Sequence, residues 1–429
     1  MIAAARARVA PGPAARDWTV RIPGSKSLTN RALLLAAVAD GNSILRGPLA
    51  CDDTEVMAAA LRELGTRIGS LSGDAVSIGG LGCPPTGEHA IWCGQAGTVA
   101  RFLLPVLAAG NGTFALDAHP QLAGRPLGPV IGAVRTQGAT VDSEGLPLTL
   151  RAVGLSGGEV AVDASASGQF LSGVLLAAPL AAAPTRIRFG AVASRPYIEM
   201  TLAVMRAFGA RVDVTEHEIA VTPAAYTAAD LAVEPDASTA SYFLAAAAVT
   251  GTTVTIPGLD RRTSTQGDLA LAGILERMGA TVSDTPGGLV LTGPQALRGV
   301  KVDMRDSSDV AMTLACVAPF ADSPTTIDGI GHVRVKESDR IATTAENLRR
   351  LGIAVDEGPD FLRIEPGTPR TAVLPTFEDH RIAMAFSVVG LRAPVVLDDP
   401  GCVAKTCPTF FDLWRATGAS VELGDGAGW

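Results

Sequence analysis

Residues 24–31, with the sequence GSKSLTNR, combine side chains that could bind an anion. The stretch holds two cations, Lys26 and Arg31, and three hydroxyl side chains directly before an apolar run that begins at Ala32. The start of a helix presents free backbone N–H groups and the positive end of the helix dipole, and both favour a negative charge. The stretch therefore predicts the beginning of a helix that binds an anionic ligand.

Six further segments place polar or charged side chains at the start of an apolar helix pattern. Each holds a Ser, Thr or Asp, and one such segment alone would be explained by helix capping. Together with residues 24–31 they also bring Lys, Arg, Glu or His to these positions, which favours a shared binding role over capping. The segments are GQAGTVARF at 94–102, DASASGQFLSG at 163–173, ASRPYIEMTL at 193–202, SSDVAMTLA at 307–315, RVKESDRIA at 334–342 and FEDHRIAMAF at 377–386.

The size and charge of the chain limit what these segments could bind. A chain of 429 residues with 47% hydrophobic and 18% charged residues exceeds what one hydrophobic core usually organises, so we expect two domains. The net charge of −8 argues against nucleic acid or an anionic membrane as the main partner. A local cluster of cations must therefore attract any anionic ligand.

The cysteines and histidines do not indicate a disulfide framework or a metal site, and the apolar segments do not indicate a membrane anchor. The six cysteines contain no CxxC pair and the five histidines lack ligand spacing, so neither a disulfide framework nor a zinc site is indicated. Residues 1–13 contain no apolar core of a secretion signal. The longest apolar stretch, residues 170–184, is interrupted by Pro179 and is shorter than the roughly 20 residues that span a bilayer. These features predict a soluble, cytoplasmic protein.

A helix ending that recurs along the chain indicates repeated α/β units. An apolar residue is followed closely by Gly and then by the start of a β-branched strand, and successive copies lie about 70 residues apart. Each Gly fits the left-handed position just past a helix. After most copies a turn-rich segment leads to a second alternating strand, which is typical of a hairpin. The six copies are LRELGTRI, VRTQGATV, MRAFGARV, LERMGATV, LRRLGIAV and WRATGASV, with Gly65, Gly138, Gly209, Gly279, Gly352 and Gly418.

Several motifs, taken in order, resemble the 5-enolpyruvylshikimate-3-phosphate (EPSP) synthase family. The patterns S-K-S-x-T-N-R, R-V-K-E-x-D-R and D-H-R-x-A-M are specific to it, whereas the shorter fragments are weak by themselves. The match runs in the order of the family from about Pro23 to Pro408. The matching segments are GSKSLTNRALLLAA from Gly24, the AGT-x-x-R of residues 96–101, Arg125 with Pro126, RVKESDR from Arg334, EDHRIAMAF from Glu378 and AKT from Ala404.

The resemblance implies an activity and an architecture. The family transfers the enolpyruvyl group of phosphoenolpyruvate to the 5-hydroxyl of shikimate 3-phosphate and releases phosphate, through a tetrahedral intermediate and without metal or organic cofactor. Its fold is α/β, with two similar domains of three repeated α/β units each, like an inside-out barrel, and an active site in the interdomain cleft that closes on the substrates. We expect a discontinuous domain I at residues 1–22 and 236–429, and domain II at 23–235. The family also suggests a monomer.

The resemblance further assigns site residues, which we give by substrate. The carboxylates of Asp309 and Glu337 match the two acid–base groups of the family, and Lys26 is a third proton carrier. The residues implied for shikimate 3-phosphate are Lys26, Ser27, Arg31, Ser167, Gln169, Ser194, Tyr197, Asp309, His332 and Lys336. Those implied for phosphoenolpyruvate are Lys26, Gly97, Thr98, Arg125, Gln169, Arg340, Asp379, His380, Arg381 and Lys405.

Four positions depart from the family pattern and bear on the identity of the substrate. Gln95 stands where Asn is common before AGT, Gly168 where a second Ser usually follows the first, His332 where Asn often precedes the RVKE segment, and Phe102 where Pro often follows the Arg. These differences also concern affinity and sensitivity to glyphosate. They leave room for a relative that acts on a modified cyclitol phosphate.

Two alternative functions, transfer to UDP-N-acetylglucosamine and anion binding without catalysis, can be compared with the sequence. The UDP-N-acetylglucosamine enolpyruvyl transferase shares the six-unit architecture but carries a reactive Cys in the loop that corresponds to residues 119–126, and this loop has none here. A non-catalytic protein that binds anions would need no acid–base pair. The presence of Asp309, Glu337 and Lys26 favours an enzyme.

Overall fold

The computed structural model describes residues 6–13 and 17–425. The prediction about a secretion signal at residues 1–13, and the part of domain I at residues 1–22, therefore fall partly outside the described residues. The chain divides into two compact units. Unit 1 comprises Met1–Ile22 and Pro235–Trp429, and unit 2 comprises Pro23–Glu234. Two strands of unit 1 precede unit 2 in the chain, β1 (Arg6–Ala10) and β2 (Asp17–Thr19).

Unit 2 alternates helices and strands in three successive modules. Its helices are α1 (Lys26–Val38), α2 (Asp52–Glu63), α3 (Gly97–Ala108), α4 (Pro120–Ala123), α5 (Gly128–Thr136), α6 (Gly168–Ala177) and α7 (Pro196–Ala207). Its strands are β3 (Asn42–Arg46), β4 (Arg67–Ile68), β5 (Ala75–Gly79), β6 (Thr86–Trp92), β7 (Asn111–Asp117), β8 (Thr140–Val141), β9 (Leu148–Val153), β10 (Gly158–Ala164), β11 (Thr185–Val192), β12 (Arg211–Val214), β13 (Glu218–Thr222) and β14 (Asp230–Ala232).

Unit 1 repeats the pattern with shorter helices and several 3₁₀ turns. Its helices are α8 (Ala237–Thr250), α9 (Ala270–Arg277), α10 (Ala311–Val317), α11 (Arg340–Arg350), α12 (His380–Val389) and α13 (Phe410–Trp414). Its remaining strands are β15 (Thr253–Ile256), β16 (Thr281–Thr285), β17 (Gly288–Thr292), β18 (Lys301–Asp303), β19 (Thr325–Asp328), β20 (Val355–Glu357), β21 (Leu362–Ile364), β22 (Ala372–Leu374), β23 (Val395–Leu397) and β24 (Ser420–Gly424). Turns of 3₁₀ helix important below are Gly267–Leu269, Arg305–Val310, Gly331–Val335 and Pro400–Lys405.

Within residues 6–13 and 17–425, the strands form six four-stranded sheets that share one topology. In each sheet two neighbouring strands at one edge are parallel, and the other two strands are added antiparallel. The orders in unit 2 are β14-β3-β5-β4, β6-β7-β9-β8 and β10-β11-β13-β12, and those in unit 1 are β16-β17-β15-β2, β18-β19-β21-β20 and β22-β23-β1-β24. The predicted fold class, α/β with three repeated modules in each of two similar halves, is confirmed, and the six sheets are separate four-stranded sheets.

Three apolar helices form the centre of each unit. In unit 2, α3 packs against both α1 and α6, and in unit 1 the corresponding helices α8, α10 and α12 pack against one another. Every residue of α3 and of α12 is buried. A helix that is apolar on all faces can be stable only when other elements surround it. Each unit accordingly has its own hydrophobic core around its three inner helices.

The repeated helix ending has the backbone conformation predicted for it. The six glycines that follow the recurring helices have φ between 85 and 112°, in the left-handed region that favours glycine. Five of the six copies lead into an antiparallel hairpin. The sixth copy leads into β24, which pairs with β1 instead. The last module is therefore completed by a strand from the other end of the chain.

The longest apolar stretch forms a buried helix, as expected. Residues 168–177 are α6, and a short 3₁₀ turn, Ala178–Leu180, follows it. Among the helices in the described residues, none combines the length and hydrophobicity needed to cross a membrane.

Candidate functional site

The first helix of unit 2 begins at the predicted anion-binding stretch. It starts at Lys26, ahead of the apolar run, because the Ser25 hydroxyl caps it by accepting a hydrogen bond from the Leu28 N–H at 3.4 Å. The Lys26 Nζ lies 2.9 Å from the Asp53 Oδ2, and both side chains are mostly buried. Asp53 stands in the first turn of α2, and sequence reasoning did not single it out.

Arg31 lies inside the core of unit 2 with 1% of its surface exposed. Its guanidinium donates to the Thr201 and Ser172 hydroxyls and to the backbone carbonyls of Ser27 and Tyr197, at 2.8 to 3.3 Å. Burial lowers the pKa of Arg31 to about 10, which keeps it charged at neutral pH. The sequence prediction assigned this residue to a ligand, and the structure shows in addition that it joins α1, α6 and α7.

The aromatic ring of Phe102 explains one departure from the family pattern. The Arg31 guanidinium carbon lies 4.8 Å from the centre of this ring and 5.9 Å from that of Tyr197. Aromatic faces attract cations, and the attraction is stronger where water is excluded. Phe102 is fully buried. It therefore contributes to holding a charged residue inside the unit.

The N-termini of the inner helices bring several predicted residues together. The Asn30 amide donates to the Thr98 hydroxyl at 2.9 Å, which links α1 to α3. Arg101 donates to the Gln169 amide oxygen at 2.8 Å, which links α3 to α6. A Cβ atom placed on Gly97 would lie 3.3 Å from the Nη1 of Arg125 and 3.4 Å from groups of Arg101 and Gln169. The backbone at Gly97 is thus bordered by two arginines and an amide.

Ser167, Ser194 and Tyr197 lie at the starts of α6 and α7. The Ser167 hydroxyl caps α6 by accepting from the Gln169 N–H at 3.3 Å. Ser194 has φ of 58°, a strained value for a residue other than glycine. A Cβ atom on Gly168 would lie 2.7 Å from the Ala193 carbonyl oxygen. The observed backbone accommodates glycine at position 168, where the family pattern has a second serine.

In unit 1, Arg340 is surrounded by carboxylates. The guanidinium binds Asp379 through two hydrogen bonds of 2.8 and 3.1 Å, Glu337 through one of 2.9 Å and Asp309 through one of 3.1 Å. Burial disfavours the charged form of Arg340, but Asp379, Glu337 and Asp309 together raise its pKa above the ordinary value. Arg340 is 1% exposed. This residue therefore stays charged and positions both predicted acid–base groups.

Asp309 connects two of the arginines predicted to bind phosphoenolpyruvate. Its Oδ1 lies 3.1 Å from Arg340 and its Oδ2 lies 2.8 Å from the Arg381 Nη2. Burial alone would raise the pKa of Asp309, but Arg381, Lys336 and Arg340 hold it well below its usual range. Asp309 lies in the 3₁₀ turn directly before α10, in agreement with the predicted position before or at the start of a helix. It is ionised in this arrangement.

His332 and Lys336 lie near the same carboxylate. The His332 Nε2 is 2.8 Å from the Ser308 hydroxyl oxygen. Burial, and then the positive charge of Lys336, lower the pKa of His332 to about 4. The imidazole is therefore neutral at physiological pH. His332 occupies one of the positions that depart from the family pattern.

Asp379 organises the start of α12. It is completely buried, accepts the backbone N–H of Arg381 at 3.0 Å and accepts the Ser338 hydroxyl at 2.9 Å. The Nδ1 of His380 lies 3.6 Å from its Oδ1. Lys405, at the end of the 3₁₀ turn Pro400–Lys405, is 4% exposed. The structure thus brings Asp379 and Arg381, from the segment 377–386, together with Arg340 from the segment 334–342.

Three buried polar residues, Arg101, Asp53 and Asp268, were not singled out as site residues from the sequence. Arg101 belongs to the AGT-x-x-R motif, and its position one helical turn after Gly97 was an available signal. Asp53 and Asp268 stand near the starts of the second helices of their modules, where an acidic residue is ordinary. No sequence signal separates those two from surface caps. Only their burial in the structure does so, with 3% and 2% of their surfaces exposed.

Metal ligation and disulfide bonding are not seen among these groups. Within residues 6–13 and 17–425, no group of three or more His, Cys, Asp or Glu side chains is arranged to hold a metal. The six cysteines are free thiols. Burial raises the pKa of Cys51 to about 11 and that of Cys93 to about 12.

The fold and these two clusters define an α/β protein of repeated modules that holds cations at helix starts and two carboxylates beside buried arginines. Residues 12–414 match the family model described as EPSP synthase (3-phosphoshikimate 1-carboxyvinyltransferase). The chain belongs to the EPSP synthase family. This family contains transferases, and an enzyme of this class is consistent with the carboxylates described above.

Individual relatives resemble the chain along nearly its full length. A 3-phosphoshikimate 1-carboxyvinyltransferase from Nostoc punctiforme is 44% identical over 406 residues, which cover 92% of this chain and 95% of that protein. One from Edwardsiella ictaluri is 44% identical over 410 residues, with the same coverage. The structure of EPSP synthase from Acinetobacter baumannii superposes with a TM-score of 0.83 at 27% identity and covers 97% of this chain and 99% of that one.

Proposed function

We propose that the protein transfers the enolpyruvyl group of phosphoenolpyruvate to the 5-hydroxyl of shikimate 3-phosphate and releases inorganic phosphate. The observation that carries the proposal is the cluster in which Arg340 binds both Asp309 and Glu337 while Asp309 also binds Arg381. It combines cations for an anionic substrate with two carboxylates for proton transfer. The names of the relatives support the same reaction.

The charges of the substrates fit the cations of both clusters. Each substrate carries a carboxylate and a phosphate, and arginine binds such groups through paired hydrogen bonds. Arg125 and Arg101 border Gly97 in unit 2, and Arg340 and Arg381 are buried in unit 1. Buried cations bind an anion strongly because little water competes.

Asp309 is the base that we assign to the 5-hydroxyl proton. In the structure its charge is neutralised by Arg340 and Arg381. When phosphoenolpyruvate takes hydrogen bonds from these arginines, its negative charge offsets theirs, so the pKa of Asp309 rises toward a value useful for general-base catalysis. Binding of the substrate therefore activates the carboxylate.

Glu337 and Lys26 are the remaining proton carriers. Glu337 lies 2.9 Å from Arg340 with 9% of its side chain exposed, and we assign it to protonation of the methylene carbon of phosphoenolpyruvate. Lys26 is held by Asp53 at 2.9 Å. An anionic substrate competes with Asp53 for this ammonium, which makes Lys26 available to bind the substrate or to carry a proton.

The binding residues are proposed separately for the two substrates. We propose that shikimate 3-phosphate binds Lys26, Ser27, Arg31, Ser167, Gln169, Ser194, Tyr197, Asp309, His332 and Lys336. We propose that phosphoenolpyruvate binds Lys26, Gly97, Thr98, Arg125, Gln169, Arg340, Asp379, His380, Arg381 and Lys405. Arg31 has four hydrogen bonds within unit 2, so we expect it to reach the acceptor only through its remaining N–H capacity.

The first experiment measures phosphate release from phosphoenolpyruvate by the purified protein. We expect release that depends on shikimate 3-phosphate and is absent with UDP-N-acetylglucosamine as the acceptor. Release with the nucleotide sugar alone would overturn the proposal. A folded protein that releases phosphate with neither acceptor would point to a modified cyclitol phosphate, or to a relative that only binds anions. Calorimetric binding of phosphoenolpyruvate with shikimate 3-phosphate separates these two outcomes.

Three further properties remain predictions. We propose that the protein is a monomer in the cytoplasm, which sedimentation and cell fractionation would test. We also propose that units 1 and 2 correspond to the two domains expected from the sequence. Limited proteolysis should then cut first near residues 22–23 and 234–235, where the chain passes from one unit to the other.

A further inference from the structure

The internal repeat places Asp268 and Asp53 at corresponding positions. In the first module of unit 2, α1 is followed by β3 and then by α2, which carries Asp53 in its first turn. In the first module of unit 1, α8 is followed by β15 and then by the 3₁₀ turn Gly267–Leu269, which carries Asp268 and leads into α9. Each carboxylate therefore stands at the start of the second helical segment of its module.

Both carboxylates contact the first turn of the inner helix of the same module. Asp53 binds the Lys26 ammonium at 2.9 Å, and Asp268 accepts a hydrogen bond from the Ser238 hydroxyl. Lys26 is the first residue of α1 and Ser238 is the second residue of α8. The contact occurs in both units although the partner changes from a cation to a hydroxyl. In unit 1 the negative charge of Asp268 is consequently not cancelled by its partner on the inner helix.

The segment that carries Asp268 is attached firmly to α8. The Gln266 amide oxygen accepts from the Ala237 N–H at 3.0 Å, and its nitrogen donates to the Pro235 carbonyl at 2.7 Å. Asp236 caps the same helix by accepting from the Thr239 N–H at 2.7 Å. Asp268 itself is 2% exposed. Its carboxylate is thus held in one place, where a fixed charge can act on its neighbours.

The neighbours of Asp268 are groups of the proposed reaction. The turn Gly267–Leu269 packs against the turn Arg305–Val310, which carries Asp309. Burial, and then the negative charge of Asp309, raise the pKa of Asp268 to about 6, and the positive charge of Arg381 acts in the opposite direction. Asp268 and Asp309 therefore repel each other and share one arginine.

We propose that Asp268 is a positioning residue that raises the proton affinity of Asp309 during the reaction through the repulsion between the two buried carboxylates. The proposal rests on the function assigned above. Once the substrates take hydrogen bonds from Arg340 and Arg381, the charge of Asp268 remains beside Asp309, because Asp268 is fixed to α8. A negative neighbour makes a carboxylate a stronger base.

The charged groups around Asp268 come from four directions. Asp236 faces it from the start of α8, Asp309 from the turn before α10 and Arg381 from α12. The following helix, α9, carries Glu276 and Arg277 on its exposed last turn. Glu276 pairs with Arg261 at 3.6 Å, and Arg277 donates to the Lys301 carbonyl at 2.8 Å. Glu276 and Arg277 therefore contact other residues and not Asp268.

The test compares the pH dependence of kcat in the wild type and in Asp268→Asn. We expect the acidic limb of the profile, where the base must be deprotonated, to move to lower pH by about one unit in the variant. The plateau kcat should fall about three- to tenfold because the base is weaker. A loss of kcat with an unchanged limb would indicate a structural role only and would overturn the proposal, as would a profile identical to that of the wild type.

A second variant retains the charge and covers the case in which Asp268→Asn does not fold. Ser238→Ala removes a hydrogen bond that favours the ionised form of Asp268, so that Asp268 stays protonated to higher pH. We expect kcat to be reduced near pH 6.5 and to approach the wild-type value near pH 8.5. A reduction of equal size at both pH values would contradict the proposal.

A matched pair elsewhere in unit 1 controls for the substitutions themselves. Ser323 donates to Asp322 at 2.7 Å in an exposed serine–aspartate pair, so Asp322→Asn and Ser323→Ala should leave the profile unchanged. Titration of Asp268 by carbon-13 NMR needs no turnover. Its pKa should be lower in Asp309→Asn than in the wild type, because Asp309 is ionised while Asp268 titrates, and equal values would overturn the proposal. An inactive wild type would instead overturn the assigned reaction alone.

Discussion

The two units hold their buried arginines in different ways. In unit 2, Arg31 makes its four hydrogen bonds to hydroxyl and carbonyl oxygens, and Arg101 donates to an amide and a carbonyl. In unit 1, Arg340 and Arg381 bind the carboxylates of Asp309, Glu337 and Asp379. The same repeated fold therefore supports arginines that bind neutral oxygens in unit 2 and arginines that bind carboxylates in unit 1.

This difference suggests a division of work between the clusters. Neutral oxygens orient an arginine without cancelling its charge, so the cluster of unit 2 is suited to binding anions. Carboxylates beside an arginine can exchange it for a substrate anion and then accept a proton, so the cluster of unit 1 is suited to acid–base chemistry. The following predictions test this division, beginning with the largest expected effect.

Replacement of Asp309 should affect turnover more than binding. In Asp309→Ala, kcat should fall about 10²- to 10⁴-fold because the proposed base is lost. The affinity for phosphoenolpyruvate should be retained, since Arg340 keeps Glu337 and Asp379 and Arg381 loses a competing carboxylate. Steady-state kinetics and calorimetry measure the two effects. Near-wild-type kcat would refute the role of Asp309, and circular dichroism checks that the variant is folded.

Replacement of Arg31 should mainly lower stability. Arg31→Met removes a buried group with four hydrogen bonds and leaves the Thr201 and Ser172 hydroxyls without it. We expect the free energy of unfolding to fall by about 2–4 kcal/mol, as measured by urea denaturation. Arg188→Met is a matched control in the same unit, because Arg188 is 59% exposed and its ion pairs lie at the surface. Equal losses in the two variants would show that the buried position of Arg31 is not decisive.

A methyl group at position 168 should have a smaller effect. In Gly168→Ala the new Cβ would lie 2.7 Å from the Ala193 carbonyl oxygen, so the backbone before α7 must shift. We expect a loss of about 1–3 kcal/mol in the free energy of unfolding and weaker binding of shikimate 3-phosphate. Gly128→Ala is the control, since Gly128 also begins a helix and a Cβ there would meet nothing within 4 Å. Wild-type stability and affinity in Gly168→Ala would contradict the close approach of position 168 to the Ala193 carbonyl oxygen.

Replacement of His332 should change the pH dependence of stability, which is the smallest of these effects on folding. Its pKa falls from 6.5 to about 4 on folding, so the unfolded chain binds a proton that the folded protein does not bind between these values. This contribution to stability is complete above about pH 6.5 and is lost as the pH falls toward 4. Thermal unfolding of His332→Asn should therefore vary less with pH across this window than that of the wild type. Parallel curves for the two proteins would contradict the prediction.

Local patterns in the sequence were sufficient to predict the repeated modules. The left-handed glycines and the hairpins after them depend on residues close together in the chain, and steric constraints on the backbone apply wherever such residues occur. The same holds for the start of α1, where Ser25 caps the helix and cations follow. The pairing of β24 with β1 could not be predicted locally, because these strands lie at opposite ends of the chain.

The sequence by itself determined which residue types stand at the helix starts, and with them the class of ligand. Only the tertiary structure decided the partners of those residues. Arg340 binds Glu337 three positions away, but its bond to Asp379 spans 39 positions and that of Arg31 to Thr201 spans 170. Such pairs form because helices far apart in the sequence pack side by side, as α1 does with α7 and α11 with α12, and burial then makes each charge depend on its neighbour. For this reason Asp53 and Asp268 resembled ordinary caps in the sequence and are recognisable as buried charges only in the fold.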